Sequence, residues 1–370
     1  MSALKITFVS SHAKLGGAER YLEILLGEIP GGWTKDVVCL EPGPFVERLR
    51  ALGTPPVVIP TSRHATGIVR SAWLLRRGPL RRRPDIVHAN NLKAALVAGL
   101  ATLGTGVPVV WVKHDFTSDG KLAHLVGRLS TRIVGVAEVV TRTFGPTFAG
   151  KVQVVHNGIA PPDIDQTAAR AAVASAVGGA DGPVVALVGR IHPWKGQLEL
   201  VEAAPAVIAA IPEARFALAG GDDPTTPAYA ERVRTRIDEL GLSDGFHLLG
   251  HRSDALELIA GADVLVVPSI PDESGGGRDA FPFVGLEAMS VGTPVVAYYD
   301  GGLPELLGDC GRSVPPSDRA GFARALVEVL SDADARKRMA DCGRRRVEEN
   351  FSIDAMVAKM TKVYTDAARR

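Results

Sequence analysis

Short runs of β-branched and other apolar residues recur along the whole chain, and each is followed by a segment long enough for a helix. In the first half these runs occupy residues 6–9, 37–40, 57–59, 85–88, 109–112, 133–136 and 152–155. In the second half they occupy residues 184–188, 216–219, 246–249, 264–267 and 295–297. Repeated strand–helix units build parallel sheets that are covered by helices on both faces. The alternation therefore predicts an α/β protein of the doubly wound type.

The two series are separated by a stretch of different composition. Pro161 and Pro162 precede an Ala-rich segment and a Gly-rich run over residues 178–182. Pro and Gly interrupt regular structure, and 370 residues usually form more than one core. We therefore expect an N-terminal domain over residues 1–160, a linker over 161–179 and a C-terminal domain over 180–350. A final helix is expected from about residue 348 or 351 to 370, with Ser352 as its candidate cap.

The net charge and the cysteine content indicate which binding partners and which cellular compartment to expect. The chain has 42 basic and 41 acidic side chains, so its net charge of +1 gives no general attraction to nucleic acid. Cys39, Cys310 and Cys342 have neither metal-binding nor CxxC spacing. Residues 5–10 have the pattern of a core strand rather than of a signal peptide. We expect a protein of the reducing cytoplasm that needs no cofactor and no metal.

Two segments raise the question of a membrane. Residues 94–112 carry no charge, but the glycines and the proline among them divide the segment into a helix, a turn and a strand. Between residues 70 and 83, arginines surround Trp73 without an intervening acid, which is also typical of surfaces that contact anionic lipid. The apolar face there is small. We favour a solvated helix end, and peripheral membrane contact is the less favoured interpretation.

Residues 264–305 combine several patterns that favour ligand binding. A Gly-rich loop at Gly275–Gly277 follows an apolar strand and precedes a helix predicted from Phe283 to Gly292. Backbone amides at a helix N-terminus bind anions, and glycine lets a ligand approach the main chain. Asp279 before the helix and Glu287 within it would flank such an anion. The pattern favours a molecule with both phosphates and hydroxyls, as in a nucleotide sugar.

Paired acids also occur in glycoside hydrolases. A retaining hydrolase holds its two carboxyl groups about 5 Å apart. Asp279 and Glu287 are eight residues apart, which is about 12 Å along a continuous helix. Binding roles therefore fit these acids better than a shared bond-cleaving role.

Candidate phosphate ligands follow the first strand of each series. In the second series, Arg190 and Lys195 lie between Gly189 and Gly196, and a guanidinium with a nearby ammonium suits a diphosphate. In the first series, Gly16-Gly17 stands between a strand and a helix. By itself that pair fits a tight turn as well as a phosphate-binding loop.

Taken together, these stretches resemble the retaining GT-B glycosyltransferases of family 4. The resemblance rests on an acid and a Glu separated by seven residues, with Phe-Pro after the first acid and Glu-Ala-Met at the second. It also rests on three further stretches in the expected order: residues 16–19 (GGAE), residues 188–190 (VGR) with 195–196 (KG), and residues 301–305 (GGLPE). It covers nearly the whole chain. One position departs from the pattern, because the family usually has Glu where this chain has Asp279.

The resemblance implies two Rossmann-like domains that face a cleft, with the last helix crossing back onto the N-terminal domain. It implies catalytic roles for Arg190 and Lys195 at the leaving diphosphate, and for His114 and Asp279 at the sugar. Glu287 would contact the ribose, while His251 and Arg252 would flank the base. The full set of implied donor-binding residues is Gly16, Gly17, Arg190, Lys195, His251, Arg252, Asp279, Ala280, Phe281, Pro282, Phe283, Val284 and Glu287.

The sequence contains no motif that supports a metal site, a nicotinamide oxidoreductase or a serine hydrolase. Asp163-Ile-Asp165 matches a metal-binding DxD pattern, but it lies in the Pro-rich segment rather than after a predicted strand. No GxGxxG follows the first strand, which disfavours a nicotinamide oxidoreductase, and no GxSxG elbow is present.

The sequence thus predicts a retaining, metal-independent glycosyltransferase that uses a nucleoside-diphosphate sugar, UDP in preference to GDP. Its acceptor would be a hydroxyl of a small molecule or glycan, in cell-envelope or secondary-metabolite (for example aminocyclitol) biosynthesis. One alternative is a GT-B phosphorylase or sugar-nucleotide isomerase. Another is a non-catalytic nucleotide-sugar-binding protein, which the Asp279 departure favours.

Overall fold

The computed structural model describes residues 3–62, 64–116, 119–179, 182–271 and 277–369. Their internal contacts divide the chain into two compact units. The first unit comprises Met1–Gly158 and Ile353–Arg370, and the second comprises Ile159–Ser352. Each unit is built on one parallel sheet, so the predicted α/β fold with two Rossmann-like domains is confirmed.

In the first unit, the described strands form a seven-stranded sheet in the order β3-β2-β1-β4-β5-β6-β7. The strands are β1 (Lys5–Ser10), β2 (Thr34–Cys39), β3 (Val57–Val58), β4 (Ile86–Asn90), β5 (Val109–Lys113), β6 (Arg132–Gly135) and β7 (Val152–Val154). Every residue of β4 and β5 is buried, because helices cover both faces of the sheet.

The helices of this unit fall in the intervals between the strands, as the alternation predicted. They are α1 (Gly17–Glu28), α2 (Pro44–Ala51), α3 (Ala65–Arg77), α4 (Leu92–Thr102), α5 (Lys121–Leu129) and α6 (Glu138–Thr141). The C-terminal helix, Ile353–Ala368, belongs to the same unit and buries Met356, Met360 and Val363.

The second unit has a six-stranded sheet among its described residues, in the order β10-β9-β8-β11-β12-β13. The strands are β8 (Val184–Val188), β9 (Arg215–Ala219), β10 (Phe246–Gly250), β11 (Val264–Val267), β12 (Val295–Tyr298) and β13 (Arg312–Val314). The helices are α7 (Gln166–Ala176), α8 (Gln197–Ala210), α9 (Pro227–Glu239), α10 (Ala255–Gly261), α11 (Phe283–Val291), α12 (Leu303–Leu307), α13 (Arg319–Ser331) and α14 (Ala333–Asn350).

Two predicted boundaries differ from the structure, and one strand was not predicted. Residues 161–179, expected to be a linker, contain α7, which Asp165 caps and which buries Ala169 and Val173 within the second unit. Residues 348–350 belong to α14, which ends where Phe351 packs into the interior, so the final helix begins at Ile353. Strand β13 was not predicted, because it has only three residues and begins with Arg and Ser, which give no apolar run.

Cys310 and Cys342 form a disulfide that joins the turn after α12 to α14. Disulfides are rare in reducing compartments, so this bond removes one basis for the expected cytoplasmic location, which stays a prediction. Within the described parts of the chain, no helix is long and apolar enough to cross a membrane.

Candidate active site

The order of the second sheet reverses between β8 and β11. On one side the sheet continues to β9 and β10, and on the other side to β12 and β13. In open parallel sheets, ligands bind at the carboxyl ends of the strands beside such a reversal, because the adjacent loops diverge and leave a crevice. Arg190 and Lys195 follow β8, and Asp279 follows β11, so the fold places these predicted residues at this crevice.

The loop after β8 lies directly against the end of β11. Gly196 has φ +73°, and a Cβ at this position would collide with the carbonyl oxygen of Pro268. The Ile270 amide donates to the Trp194 carbonyl oxygen at 3.0 Å. Gln197, fully buried, donates from Nε2 to the Arg190 carbonyl oxygen at 2.9 Å. Glycine at residue 196 therefore allows the close approach that brings Lys195 beside the loop after β11.

Lys195 and Asp279 form an ion pair. The Lys195 Nζ lies 2.8 Å from Asp279 Oδ1, and the Lys195 and Asp279 side chains are 17% and 9% exposed. The Ser269 hydroxyl donates to Asp279 Oδ2 at 2.5 Å. Both carboxylate oxygens of Asp279 thus have a partner, which the sequence pattern did not indicate.

The segment that carries Asp279 is pinned to the loop after β12. The Arg278 guanidinium forms a two-pronged ion pair with Asp300, whose Oδ2 lies 2.9 Å from Arg278 Nε. The Gly302 amide donates to the Asp279 carbonyl oxygen at 2.9 Å. At Gly301, φ is +59° and a Cβ would collide with the same carbonyl. Gly275 and Gly276, two of the three glycines predicted to let a ligand approach the main chain, lie outside the described residues.

Arg190 pairs with Asp223, which follows β9. The Arg190 side chain is 58% exposed, while Asp223 is nearly buried. Burial alone raises the pKa of Asp223, but the hydrogen bonds from Thr225 and the charge of Arg190 outweigh it and hold the pKa below its ordinary value. The carboxylate therefore stays ionised and holds the guanidinium at the crevice.

Helix α11 begins at Phe283 as predicted, with Pro282 as its N-cap residue. Among the described residues, no side chain caps its first turn, and a helix N-terminus is a place where anions bind. Phe283 is buried, and Val284 and Glu287 are partly exposed. Ala280, Phe281 and Pro282 precede the helix and are also buried.

His251 and Arg252 follow β10 and lie at the same end of the sheet. His251 is exposed, and the Nε of Arg252 donates to Asp254 Oδ1 at 2.8 Å. Their predicted position beside a nucleotide base stays a prediction.

The first sheet has an equivalent reversal between β1 and β4. Gly16 is the N-cap residue of α1, and Gly17 begins the helix. Asn90, at the end of β4, connects this segment with His114: its Nδ2 donates to the Ala18 carbonyl oxygen at 3.0 Å, and its Oδ1 lies 2.6 Å from His114 Nε2. Burial lowers the pKa of His114 to about 3, so the imidazole is neutral at physiological pH.

Glu19, in the first turn of α1, belongs to the GGAE stretch of the resemblance, but the sequence analysis gave it no role of its own. The residue is only 5% exposed, and its Oε1 has no hydrogen-bond partner among the described residues. Burial raises its pKa to about 7. A buried acid in an otherwise ordinary helix start gives no signal in the sequence, because its burial depends on strands distant along the chain.

Two sequence features have other roles. Asp165 of the DxD pattern accepts from the amides of Thr167 and Ala168 at 2.9 and 3.0 Å, so it caps α7. Trp73 on α3 is 52% exposed, and the Arg77 guanidinium lies 4.9 Å from its ring centroid. Among the described residues, no group of three or more His, Cys, Asp or Glu is arranged to hold a metal ion.

A cavity of about 650 Å³ lies at the opposite, amino ends of β11 and β12. Arg170, Arg336 and Lys337 are its cations, and the two arginines are engaged with the protein. Arg170 NH1 lies 2.9 Å from Asp263 Oδ1, and Arg336 NH1 donates to the Val329 carbonyl oxygen at 3.0 Å. Because ligands of open parallel sheets bind at the carboxyl ends of the strands, this cavity offers a less suitable phosphate site than the crevice between β8 and β11.

A solved structure with the same two-domain fold identifies the fold class. Anabaena HepE, solved in complex with UDP and glucose, superimposes with a TM-score of 0.81 at 22% identity, covering 98% of this chain and 99% of that one. The fold is GT-B, the two-domain Rossmann-like architecture of many glycosyltransferases.

Sequence comparisons give the family. The family model "Glycosyltransferase Family 4" matches residues 15–161, and "Glycosyl transferases group 1" matches residues 182–332. A D-inositol 3-phosphate glycosyltransferase of Saccharomonospora viridis is 30% identical over 313 residues, 76% of this chain and 70% of that protein. One of Thermobispora bispora is 28% identical over 332 residues, 82% of this chain and 75% of that protein. The chain belongs to glycosyltransferase family 4 and is a transferase enzyme.

Proposed function

We propose that this enzyme transfers a sugar from a nucleoside-diphosphate sugar to a hydroxyl group, with retention of configuration and without a metal ion. The donor is a UDP-sugar in preference to a GDP-sugar. The domain over residues 180–350 binds the donor, and the domain over residues 1–160, together with the C-terminal helix, binds the acceptor. The HepE complexes with UDP support the choice of base.

One observation carries this proposal. Two cations and the N-terminus of α11 belong to the loops at the β8–β11 reversal. Arg190 is held there by Asp223, and Lys195 is held by Asp279. A diphosphate with two negative charges matches this set of donors, since the guanidinium, the ammonium and the helix amides all bind phosphate oxygens. Glu287 on α11 is the proposed ligand of the ribose hydroxyls.

The cations contribute most in the transition state. The bond between the sugar's anomeric carbon and the phosphate oxygen breaks, and a bond from the acceptor oxygen to that carbon forms on the same face. The acceptor's proton passes to the departing phosphate. Negative charge grows on the diphosphate during this step, and Arg190 and Lys195 stabilise it more strongly than they stabilise the intact donor. Neutral His114 is proposed to hydrogen-bond the sugar.

The first unit offers polar groups for an acceptor at the carboxyl ends of its strands. Glu41 follows β2, and its Oε1 lies 2.5 Å from Lys93 Nζ and 3.2 Å from His12 Nδ1. Glu41 lies close enough to Glu19 for its charge to contribute to the raised pKa of Glu19. Because two relatives are D-inositol 3-phosphate glycosyltransferases, we propose a hydroxyl-rich acceptor of the cyclitol class.

The test is an assay with D-inositol 3-phosphate as acceptor and UDP-glucose, UDP-N-acetylglucosamine or GDP-mannose as donor. Mass spectrometry would detect the glycosylated product, and NMR would give its anomeric configuration. We expect transfer from a UDP-sugar with the donor's α configuration kept. A β product would contradict retention, and transfer from GDP-mannose alone would contradict the choice of base.

The same assay separates the two alternatives from the proposal. A phosphorylase or isomerase would convert the donor when no acceptor is present, giving free sugar phosphate or a new nucleotide sugar. A non-catalytic binding protein would bind the donor and release no UDP with any acceptor supplied. Acceptor-dependent release of UDP would exclude both.

A further inference from the structure

The residue at the family's usual Glu position is tied to a cation. The Asp279 carboxylate contacts Lys195 Nζ at 2.8 Å and the Ser269 hydroxyl at 2.5 Å. We infer that Asp279 is a positioning residue that holds Lys195 for the donor's diphosphate, and that it is not a ligand of the donor sugar. This inference rests on the proposed nucleotide-sugar site, and it changes the role that the resemblance implied for Asp279.

Burial leaves the carboxylate little surface for a sugar. The Asp279 side chain is 9% exposed, and Ser269, which donates to Oδ2, is 1% exposed. A sugar hydroxyl would have to displace one of these partners or reach an oxygen that protein already covers. Lys195 is more exposed, at 17%, and an ammonium has three N–H donors, so it can bind Asp279 and a phosphate together.

The backbone around Asp279 cannot easily move the shorter side chain outward. Arg278 is bound to Asp300, and the carbonyl oxygen of Asp279 accepts from Gly302 while packing against the α-carbon of Gly301. The backbone is therefore held in place at two adjacent residues, Arg278 and Asp279. Asp is one methylene shorter than Glu, and this fixed backbone keeps its carboxylate beside Lys195.

Lys195 has a second contact in the same position, with the ring of Trp194. Its Nζ lies 4.2 Å from the ring centroid of Trp194, where a cation is attracted to the aromatic face. A lysine side chain is long and flexible, so its ordering before the ligand arrives removes a cost of binding. Loss of the Asp279 charge should also remove some repulsion of phosphate. That effect is the smaller one, because Lys195 already neutralises the carboxylate.

The test compares uridine, UDP and UDP-glucose by isothermal titration calorimetry on the full chain. For Asp279→Asn we expect about tenfold weaker binding of both UDP and UDP-glucose, the usual scale for losing a hydrogen bond to a charged group. Uridine binding should stay unchanged, because uridine has no phosphate for Lys195 to contact. Unchanged uridine binding also shows that the variant is folded.

A double-mutant cycle identifies the residue through which Asp279 acts. In a Lys195→Met background, Asp279→Asn should change UDP binding by less than twofold. Ser269→Ala should weaken UDP binding in the same direction and by less, and its effect should also disappear with Lys195→Met. If Asp279→Asn does not fold, the cycle of Ser269→Ala with Lys195→Met tests the inference in its place. Glu328→Gln, which breaks an exposed ion pair with Arg312, is the control and should bind like the wild type.

The outcomes separate this inference from the proposed function. If wild-type protein binds neither UDP nor GDP, the proposed function fails and the inference fails with it. If wild-type protein binds UDP but Asp279→Asn weakens only UDP-glucose, Asp279 is a sugar ligand and the inference alone is overturned. Unchanged or tighter UDP binding by Asp279→Asn, or an undiminished effect in the Lys195→Met background, would overturn it as well.

Discussion

His88 Nδ1 lies 2.7 Å from the hydroxyl oxygen of Tyr364, which comes 276 residues later in the chain. Both residues are fully buried. Burial lowers the pKa of His88 to about 3 and raises the pKa of Tyr364 well above its ordinary value, so both groups are neutral at pH 7. The hydrogen bond therefore attaches the C-terminal helix to β4 inside the first unit.

Removing the Tyr364 hydroxyl should destabilise the first unit. Tyr364→Phe leaves a buried imidazole nitrogen without its partner, and an unsatisfied buried polar group costs about 1–3 kcal/mol. Urea unfolding followed by circular dichroism would measure the change in the free energy of unfolding. Tyr299→Phe is the control, because Tyr299 is 63% exposed. Equal stability of the two variants would show that the hydrogen bond does not stabilise the fold.

Glu19 should make the protein less stable as the pH rises. Burial raises the Glu19 pKa from 4.5 to about 7, so between these values the folded state binds more protons than the unfolded state. The folded state is then disfavoured progressively as pH increases from 4.5 to 7. Glu19→Gln removes this ionisation, and above pH 7 the variant should be more stable than wild type by up to about 3 kcal/mol.

The pH dependence distinguishes this effect from a general change in packing. Near pH 4 the wild type and Glu19→Gln should be almost equally stable, because Glu19 is protonated in both states. Glu47→Gln is the control, since the Glu47 side chain is 71% exposed. A difference between the wild type and Glu19→Gln that is constant from pH 4 to pH 8 would refute the assigned pKa.

Lys195→Ala should lower kcat/KM by about a hundredfold, the typical cost of removing one group that stabilises developing charge. The loss should appear in KM, because Lys195 contacts the diphosphate of the bound donor, and also in kcat, because the charge on the diphosphate grows as the glycosidic bond breaks. Steady-state kinetics with the native donor would measure it. Lys362→Ala is the control, since that lysine is 77% exposed and pairs with Asp366. Near-wild-type activity of Lys195→Ala would reject the diphosphate role.

Turnover should continue in excess EDTA. The proposed site neutralises the diphosphate with Arg190, Lys195 and backbone amides, and the Asp165 of the DxD pattern is occupied in capping α7. UDP release measured with and without chelator would test this. Complete loss of activity, restored by Mg²⁺ or Mn²⁺, would show that a divalent ion takes part.

The strands at the site were predictable because each is a continuous apolar run. Val184–Val188 and Val264–Val267 are buried on both faces of the sheet, so each appears in the sequence as an uninterrupted apolar segment. The start of α11 was predictable as well, because it follows the Phe-Pro pair of the family pattern. Strand β13 and helix α7 were not found, since the first is short and polar and the second follows two prolines in an Ala-rich segment.

Side-chain partners over long separations were beyond sequence reasoning. Lys195 and Asp279 are 84 residues apart, and each was assigned to a different part of the donor. Their pairing arises from the sheet order, which places β11 beside β8. In the same way, the spacing of Cys310 and Cys342 did not indicate a disulfide, because their contact depends on how α14 packs.

The central claim is that a nucleotide sugar binds at the carboxyl ends of β8 and β11. Hydrogen–deuterium exchange with and without saturating UDP tests it most directly, since bound phosphate slows exchange of the amides that it contacts. We expect slower exchange over residues 190–197 and 279–287. Protection confined to the cavity at the amino ends of β11 and β12, or to the first unit, would contradict it.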